Sequence, residues 1–540
     1  RSGGSGIYFH LSYWGPPGDF NWLSSTSPAL ISYEMSKAYR YGADRLWVFN
    51  VGDIKPAELE IEFAMDLAWD VNAWSPEKAM DYLEAWAART FGKDVAVEIA
   101  QIKTEYYRLA ASGKPEHMYM VPFTTAEMKT RLEAYQDISR KAAELSQRIS
   151  PQLKDAYFQL VLYPVTGATK MNEKHLYARM GDMAKAHEAH NAIKTLTAQY
   201  NQEISGGKWN GIMGLGSRGK TFKAPVSKED ANDLTSAYYP KSKSSKVNKA
   251  SSSVANVLDM KNFTTTEPMT LQNDILYGTS KATCNKSNGG MAKITFNSSY
   301  EGSKVLYFKA KTPTTSEDSW FVSLNNTNIV VNNNVTGGKW KWIEAGSFEL
   351  KKGENMLTVS QREPNAKISM ILLADPNHDF SKPIKTDSIV PLKPIKTISV
   401  TDLQIDRKRL QIIPGLGVNG ASLSRINFNA PSYGKNEVAQ APSASVKLNL
   451  PKGKRTVKLV CVPTHAIHEG RGLSAAIRFN NGPFKVVDVH TASKTPTWKT
   501  NVIRGYSSAE SSFELKEDGE VTLHLSLLDP GMAITKIIIY

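Results

Sequence analysis

The amino-acid sequence predicts a multidomain fold: a parallel α/β sheet at the start, then an all-α helical bundle, then tandem antiparallel β-sandwiches. Three observations carry that prediction. Residues 7–51 read strand, helix, strand; residues 57–205 carry apolar stripes at helical spacing and little glycine; and from about residue 266 to Tyr540 short alternating strands follow one another between Asn, Gly and Pro turns. At 540 residues the chain exceeds one ordinary domain.

IYFHLSYW (7–14) is rich in aromatic and branched residues and lies between Gly6 and Gly15-Pro16-Pro17, a strand with breakers at both ends. Ser27-Pro28 supplies a helix N-cap and a proline at the first helical position. Ile31, Met35, Ala38 and Tyr39 continue at helical spacing until Gly42 closes the helix. RLWVFNV (45–51) is the second strand, stopped by Gly52. Such a βαβ unit implies parallel strands. Two strands cannot bury both faces of a sheet, so a larger α/β domain is expected here.

In the helical stretch, Leu132, Tyr135, Ile138, Ala142, Leu145 and Ile149 recur at threes and fours. Similar stripes run through 77–90, 95–111 and 173–203, with breaks expected at Gly92, Gly113-Lys114-Pro115, Pro151 and Gly167. That is a bundle of about five helices, whose Met and aromatic positions belong to its core. Gly206-Gly207 ends it, and 206–265 is a connector rich in Gly, Ser and Lys. The β region then repeats itself. SFELKKGENML (347–357) echoes SFELKEDGEVTL (512–523), and from Gly353 and Gly519 the match runs without gaps through Leu357/Leu523, Glu363/Asp529, Pro364/Pro530 and Ile371/Ile537. Upstream, SLNNTNIVV (323–331) resembles RFNNGPFKVV (478–487). These are two sandwiches of one kind, joined by the Pro/Lys-rich stretch 381–398.

Several functional classes are excluded. No run of about eighteen apolar residues is present, so there is no transmembrane helix. The net charge of +14 is scattered Lys among Ser, Asn and Thr, as in KSKSSKVNKASSS (241–253), while residues 1–100 carry eight Lys/Arg against fourteen Asp/Glu. Nucleic-acid binders concentrate Arg, Lys and aromatics on one face, so no nucleic acid is expected. Cys284 and Cys461 are too few for a disulfide framework or a thiolate metal centre, and no metal ligand set or cofactor motif is expected. GLGSRG (214–219) and GLGVNG (415–420) spell the dinucleotide fingerprint, but neither stands between a strand and an amphipathic helix. The opening RSGGSGIYFH has no signal-peptide layout, so a targeting signal is expected to be absent or removed.

His10 and Asn50 are the first candidate site residues, because each lies at the C-terminal end of a strand in consecutive βα units. In parallel α/β folds those ends line the active site. Tyr8, Tyr13, Trp14, Phe20, Trp22 and Trp47 crowd the same stretch. Sugar rings pack their C–H faces on such aromatic planes and give their hydroxyls to Asn, Asp and His. Asp53 stands where the next helix would start, and its plainer role is to cap that helix.

IYFHLSYWGPPGDFNWLSSTSPALISYEM and YGADRLWVFNVGDIKPAELEIEFAMDLAWD closely resemble the end of the catalytic barrel of glycoside hydrolase family 115. The resemblance continues with LYPVTGATKMN (162–172) and KWNGIM (208–213), and resumes with PGLGVNGAS (414–422), PTHAIHEGRGLSAAIRFNNGPFKVVDV (463–489) and LLDPGMAITKIII (527–539). It implies the end of a (β/α)8 barrel over 1–56, a helical bundle over 57–213, a connector over 214–265, a carbohydrate-binding-like β-sandwich over 266–380 and a C-terminal β-sandwich over 381–540. It further implies an α-glucuronidase that releases α-1,2-linked glucuronic acid or its 4-O-methyl ether from glucuronoxylan by an inverting acid/base mechanism. His10, Tyr13 and Asn50, with Tyr8, Trp14 and Asp53, are the implied substrate contacts. By the same resemblance the catalytic carboxylates belong to barrel strands upstream of Arg1, so these residues alone are expected to be inactive and to need the N-terminal part of the same enzyme. A homodimer and a periplasmic or secreted location are implied as well. The alternatives are a non-catalytic carbohydrate-binding or adhesion protein, and a hydrolase of another uronic-acid glycan.

Overall fold

The computed structural model describes residues 3–214, 219–228, 230–232, 256–272, 274–298, 301–375, 378, 380 and 394–540. Most of the expected connector 214–265, the centre of GLGSRG and most of the join 381–398 lie outside the described residues. The chain divides into two compact units, Arg1–Tyr239 with Leu392–Tyr540, and Pro240–Pro391.

In the first unit, β1 (Gly6–His10) and β2 (Leu46–Asn50) pair in parallel, with Tyr8 opposite Val48 and His10 opposite Asn50. Helix α1 (Pro28–Arg40) connects them, and the Ser27 side chain accepts the Leu30 amide as its N-cap. Alternation sorts the strand residues by face. Ile7, Phe9, Trp47 and Phe49 pack on the helical core, whereas Tyr8, His10, Leu46, Val48 and Asn50 share the other face, where Leu46 is 64% and Tyr8 57% exposed.

Six helices of ten residues or more follow: α2 (Glu58–Trp69), α3 (Tyr82–Phe91), α4 (Lys93–Ala111), α5 (Thr125–Ser146), α7 (Tyr163–Met180) and α8 (Met183–Gln202), with the one-turn α6 (Lys154–Tyr157) leading into α7 through a π-helical turn. Thr124 and Glu127 form a capping box at the start of α5, whose stripe Leu132, Tyr135, Ile138, Ala142 and Leu145 is buried. Three expectations are corrected. Gly167 breaks nothing. It lies inside α7, where a Cβ would stand 3.3 Å from the Trp22 indole, so glycine is there to let that ring approach. The stripe 173–203 is two helices, because Gly181 takes the left-handed conformation and Asp182 caps α8. Asp53 does not cap α2 either. Residues 51–56 form a turn, Ile54 accepts the Ala57 amide, and α2 starts beyond Pro56 with no side-chain cap.

The remaining strands build two β-units. The middle one holds β3 (Asn256–Leu258), β4 (Thr264–Thr266), β5 (Met269–Gln272), β6 (Ile275–Gly278), β7 (Met291–Ser298), β8 (Gly302–Lys311), β9 (Trp320–Leu324), β10 (Thr327–Val331), β11 (Lys341–Leu350), β12 (Gly353–Gln361) and β13 (Lys367–Ala374). They make antiparallel sheets in the orders β10-β9-β12-β7-β4 and β11-β8-β13-β6-β5, with β3 added on β13. Among the described residues strands thus begin at Asn256, ahead of the expected 266, because three-residue edge strands are too short to show alternation.

The C-terminal β-unit holds β14 (Lys396–Ser399), β15 (Gln404–Ile405), β16 (Leu410–Pro414), β17 (Ala421–Arg425), β18 (Ser443–Leu450), β19 (Gly453–Cys461), β20 (Ser474–Phe479), β21 (Lys485–Asp488), β22 (Ser507–Leu515), β23 (Gly519–Leu527) and β24 (Ala533–Ile539), with α9 (Pro496–Arg504) before β22. Its sheets run β21-β20-β23-β18-β15 and β22-β19-β24-β17-β16, with β14 on β24. This unit is built onto the helical region. Ala29 and Tyr33 of α1 share a buried cluster with Ile413, Leu416, Phe428, Val462 and Ala533, and Ile503 of α9 enters the helical core. GLGVNG (415–420) is the β16–β17 turn, its three glycines all at positive φ. A Cβ at Gly415 would collide with Met80 of the helical region, so backbone approach, not phosphate binding, explains that glycine.

Candidate functional site

The strand ends bring four of the six predicted residues together. The Asn50 side-chain amide donates to the Tyr8 hydroxyl over 2.6 Å, and its carbonyl oxygen accepts the Gly52 amide at 3.2 Å. Gly52 can turn back in this way because its φ is +62°, a conformation glycine adopts without strain. The His10 ring stands between Tyr8 and Tyr13, edge to face with both, at centroid distances of 5.1 and 4.9 Å. Its Nδ1 is buried without a hydrogen-bond partner. Tyr8, His10, Tyr13 and Asn50 therefore form one contiguous patch of two phenol rings, an imidazole and an amide.

Local sequence explains why the patch holds its shape. The ladder continues one step past the strands, where the Leu11 amide donates to Asn50 O at 2.9 Å. The Ser12 hydroxyl then reaches the Val51 carbonyl at 2.5 Å and ties the two strand exits to each other. Tyr13 and Phe20 exchange both backbone hydrogen bonds as an isolated antiparallel bridge, which closes the Gly15-Pro16-Pro17 loop. Asp19 accepts the Gly15 amide inside that loop at 2.6 Å. Ser12 carried no signal in the sequence beyond its place in a strand exit, whereas Phe20 stood among the aromatics that crowd this stretch, next to Asp19.

The other two predicted residues are both exposed. Trp14 is 79% exposed, and Asp53 lies exposed in the turn before α2. Of the remaining aromatics, Trp22 is fully buried and donates from Nε1 to the Tyr163 hydroxyl at 3.0 Å, which makes it core. Chemically the patch offers ring faces for sugar C–H groups, with hydroxyl, amide and imidazole groups for their oxygens. Among the described residues no group of three or more His, Cys, Asp or Glu side chains is arranged to hold a metal ion, and no helix is long and apolar enough to cross a membrane.

Residues 1–117 match the family model described as glycosyl hydrolase family 115, and residues 397–540 match the glycosyl hydrolase family 115 C-terminal domain. Among solved structures the chain is similar to BtGH115A, a family GH115 4-O-methyl-alpha-glucuronidase with specificity for decorated arabinogalactans. That likeness covers 100% of this chain and 52% of the other, at 22% identity and a TM-score of 0.61. The chain thus spans about half the length of that relative. A carbohydrate binding module (CBM6cm-2) from Cellvibrio mixtus lichenase 5A overlaps 27% of this chain and 96% of its own, at 15% identity and a TM-score of 0.20. A family 35 carbohydrate binding module from Clostridium thermocellum overlaps 22% and 96%, at 13% identity and a TM-score of 0.17. No curated protein matches the chain.

Proposed function

We propose, because residues 1–117 and 397–540 match glycosyl hydrolase family 115 models, that the chain belongs to an α-glucuronidase-like glycoside hydrolase whose substrate pocket includes Tyr8, His10, Tyr13 and Asn50. The observation that carries this reading is the pairing of His10 with Asn50 at the C-terminal ends of two parallel strands, beneath two tyrosine rings. β1 and β2 are proposed to be the last strands of a (β/α)8 barrel. Their apolar side chains lie on both faces, as in a strand covered on both sides, and Leu46 and Val48 are left exposed in the two-stranded sheet. The two β-units are proposed to be sandwiches of one type.

The reaction proposed is release of α-1,2-linked glucuronic acid or 4-O-methylglucuronic acid from glucuronoxylan with inversion, which requires a general acid and a general base far enough apart to admit a water. Those carboxylates are proposed to come from other strands of the barrel, outside these residues. Tyr13 and Tyr8 would pack on the uronate ring, and His10 and Asn50 would take its hydroxyls. Since BtGH115A acts on decorated arabinogalactans, the uronic-acid side chains of arabinogalactan are the second substrate class. Polysaccharides of both kinds lie outside the cytoplasm, so a periplasmic or secreted location follows.

In the full-length protein, Asn50→Ala is expected to lower uronic-acid release by about 10²-fold, as for loss of a transition-state hydrogen bond. The assay is reducing-sugar release from glucuronoxylan and from decorated arabinogalactan side by side. Turnover unchanged on both substrates removes Asn50 from the site. A proton NMR time course that shows the β-anomer of the product first establishes inversion, and the α-anomer first would overturn it.

A further inference from the structure

Residues 18–27 cross the back of the candidate site with no regular secondary structure, and Trp22 to Ser27 are all buried. Buried backbone groups outside helices and sheets need partners from elsewhere. Three side chains from one short stretch of the helical region, Lys114, Glu116 and His117, supply them. Glu116 Oε1 accepts the amides of Trp22 and Leu23 at 2.9 and 3.1 Å. Lys114 Nζ donates to the Ser25 carbonyl and hydroxyl, each at 3.0 Å. His117 Nε2 meets the Asp19 carbonyl at 3.1 Å. A fourth contact comes from α2, where Glu60 accepts the Thr26 amide at 2.5 Å.

Lys114 and His117 also grip Phe20. Lys114 Nζ lies 4.1 Å from its ring centroid, and the His117 ring stands edge-on to it at 6.1 Å. Phe20 is bridged to Tyr13 through the backbone and faces it at 6.0 Å, and Tyr13 in turn touches His10 at 4.9 Å. A continuous line of contacts therefore leads from the helical region into the patch. Buried charges are a poor way to gain stability, since well-packed apolar groups do as well or better.

We propose that Lys114, Glu116 and His117 are positioning residues, through which the helical region sets where Tyr13 and His10 stand. Burial supports the assignment: it holds the His117 imidazole down to about 4, so that ring is neutral at ordinary pH and Nε2–H can donate to the Asp19 carbonyl. The proposal rests on the glucuronidase reading of the patch for its kinetic consequence alone.

The test uses full-length protein with fluorotyrosine incorporated at Tyr13, read by fluorine NMR and by kinetics. Glu116→Ala is expected to move or broaden the Tyr13 resonance and to lower kcat by up to about 10²-fold with KM little changed. Glu116→Gln keeps an oxygen for both amides and is expected to restore both readouts. An unmoved resonance in Glu116→Ala overturns the proposal, and so does failure of Glu116→Gln to rescue a folded protein. If Glu116→Ala does not fold, Phe20→Leu cuts the same line without touching a charge and is expected to move the resonance likewise; no movement overturns the proposal. Wild-type protein without turnover on any uronate glycan defeats the glucuronidase reading, and the fluorine signal with its rescue then decides the positioning role by itself.

Discussion

The middle and C-terminal β-units share one framework and put it to different uses. Their sheets have the same strand orders, and Gly353–Gln361 of β12 corresponds residue for residue to Gly519–Leu527 of β23. In both units an Asn at positive φ ends the hairpin strand: Asn325 Oδ1 accepts the Met356 amide at 3.0 Å, and Asn480 Oδ1 accepts the equivalent Thr522 amide at 2.8 Å. In both, the acid before proline ties the β12 or β23 exit to the start of the neighbouring strand. Glu363 accepts the Asp318 amide, and Asp529 the Ser474 amide, each at 2.9 Å. The shared landmarks are therefore mechanical parts. What differs is what surrounds them: the C-terminal unit spends the β16–β17 turn and the Phe428 and Val462 segments on α1, and inserts Ile503 into the helical core.

The largest expected effect tests that difference. Leu357→Ala and Leu523→Ala remove the same side chain from the same, fully buried framework position. Each is expected to cost about 2–5 kcal/mol in denaturant unfolding. The consequences should part from there. Leu523→Ala is expected to speed amide exchange in α1 and α4 as well, because its unit shares buried clusters with them. Exchange in α1 and α4 unaltered by Leu523→Ala would show that the clusters the C-terminal unit shares with those helices do not couple them.

Much of this division could be read in the sequence. Period-four stripes and period-two alternation report burial directly, which is why α1 with its Ser27 cap, the α5 stripe and the register of Gly353 with Gly519 were all legible. Gly167 was misread because a glycine needed for a close approach looks the same as one that breaks a helix; only the Trp22 ring across the fold separates them. Asp53 was misread because a carboxylate ahead of a helix suits both a cap and a turn. At the candidate site, His10 and Asn50 could be placed from strand ends, and Tyr8 and Tyr13 from the crowding of aromatics and the family resemblance. Lys114, Glu116 and His117 could not, since they lie about a hundred residues from the segment they hold and carry no periodic signal.

The next effect sharpens the comparison at one position. Counting from the paired Asn, Asp318 of the middle unit corresponds to Leu473, a buried core residue of the C-terminal unit. Asp318 is equally buried, neither of its carboxylate oxygens meets a donor at full hydrogen-bond geometry, and burial with nearby Glu363 raises its pKa against the opposing pull of the Asn333 and Asn334 amides. A carboxyl whose folded pKa is raised contributes its full stability below the unfolded value and loses it as pH rises through the folded one. Asp318→Leu, which copies the C-terminal unit, is therefore expected to stabilise the protein by about 1–3 kcal/mol at neutral pH and by less in acid. Calorimetry at two pH values decides it. A destabilised variant at neutral pH would mean that the middle unit uses the carboxylate and that the two frameworks diverge there.

The smallest effect asks whether the shared Asn is one part used twice. Asn325 and Asn480 each combine a φ near +50° with a side-chain oxygen that takes a cross-strand amide. Alanine loses both advantages and glycine only the second, since glycine enters the left-handed region freely. Asn325→Ala and Asn480→Ala are each expected to cost about 1–2 kcal/mol, and the glycine variants less, in line with one hydrogen bond. The informative quantity is the difference between alanine and glycine at each site, because it isolates the backbone term from the bond. Equal differences in the two units mean that the hairpin geometry itself selects asparagine in both. A difference present in one unit and absent in the other would show that the matched residues, despite similar φ and the same cross-strand amide, are not doing the same job.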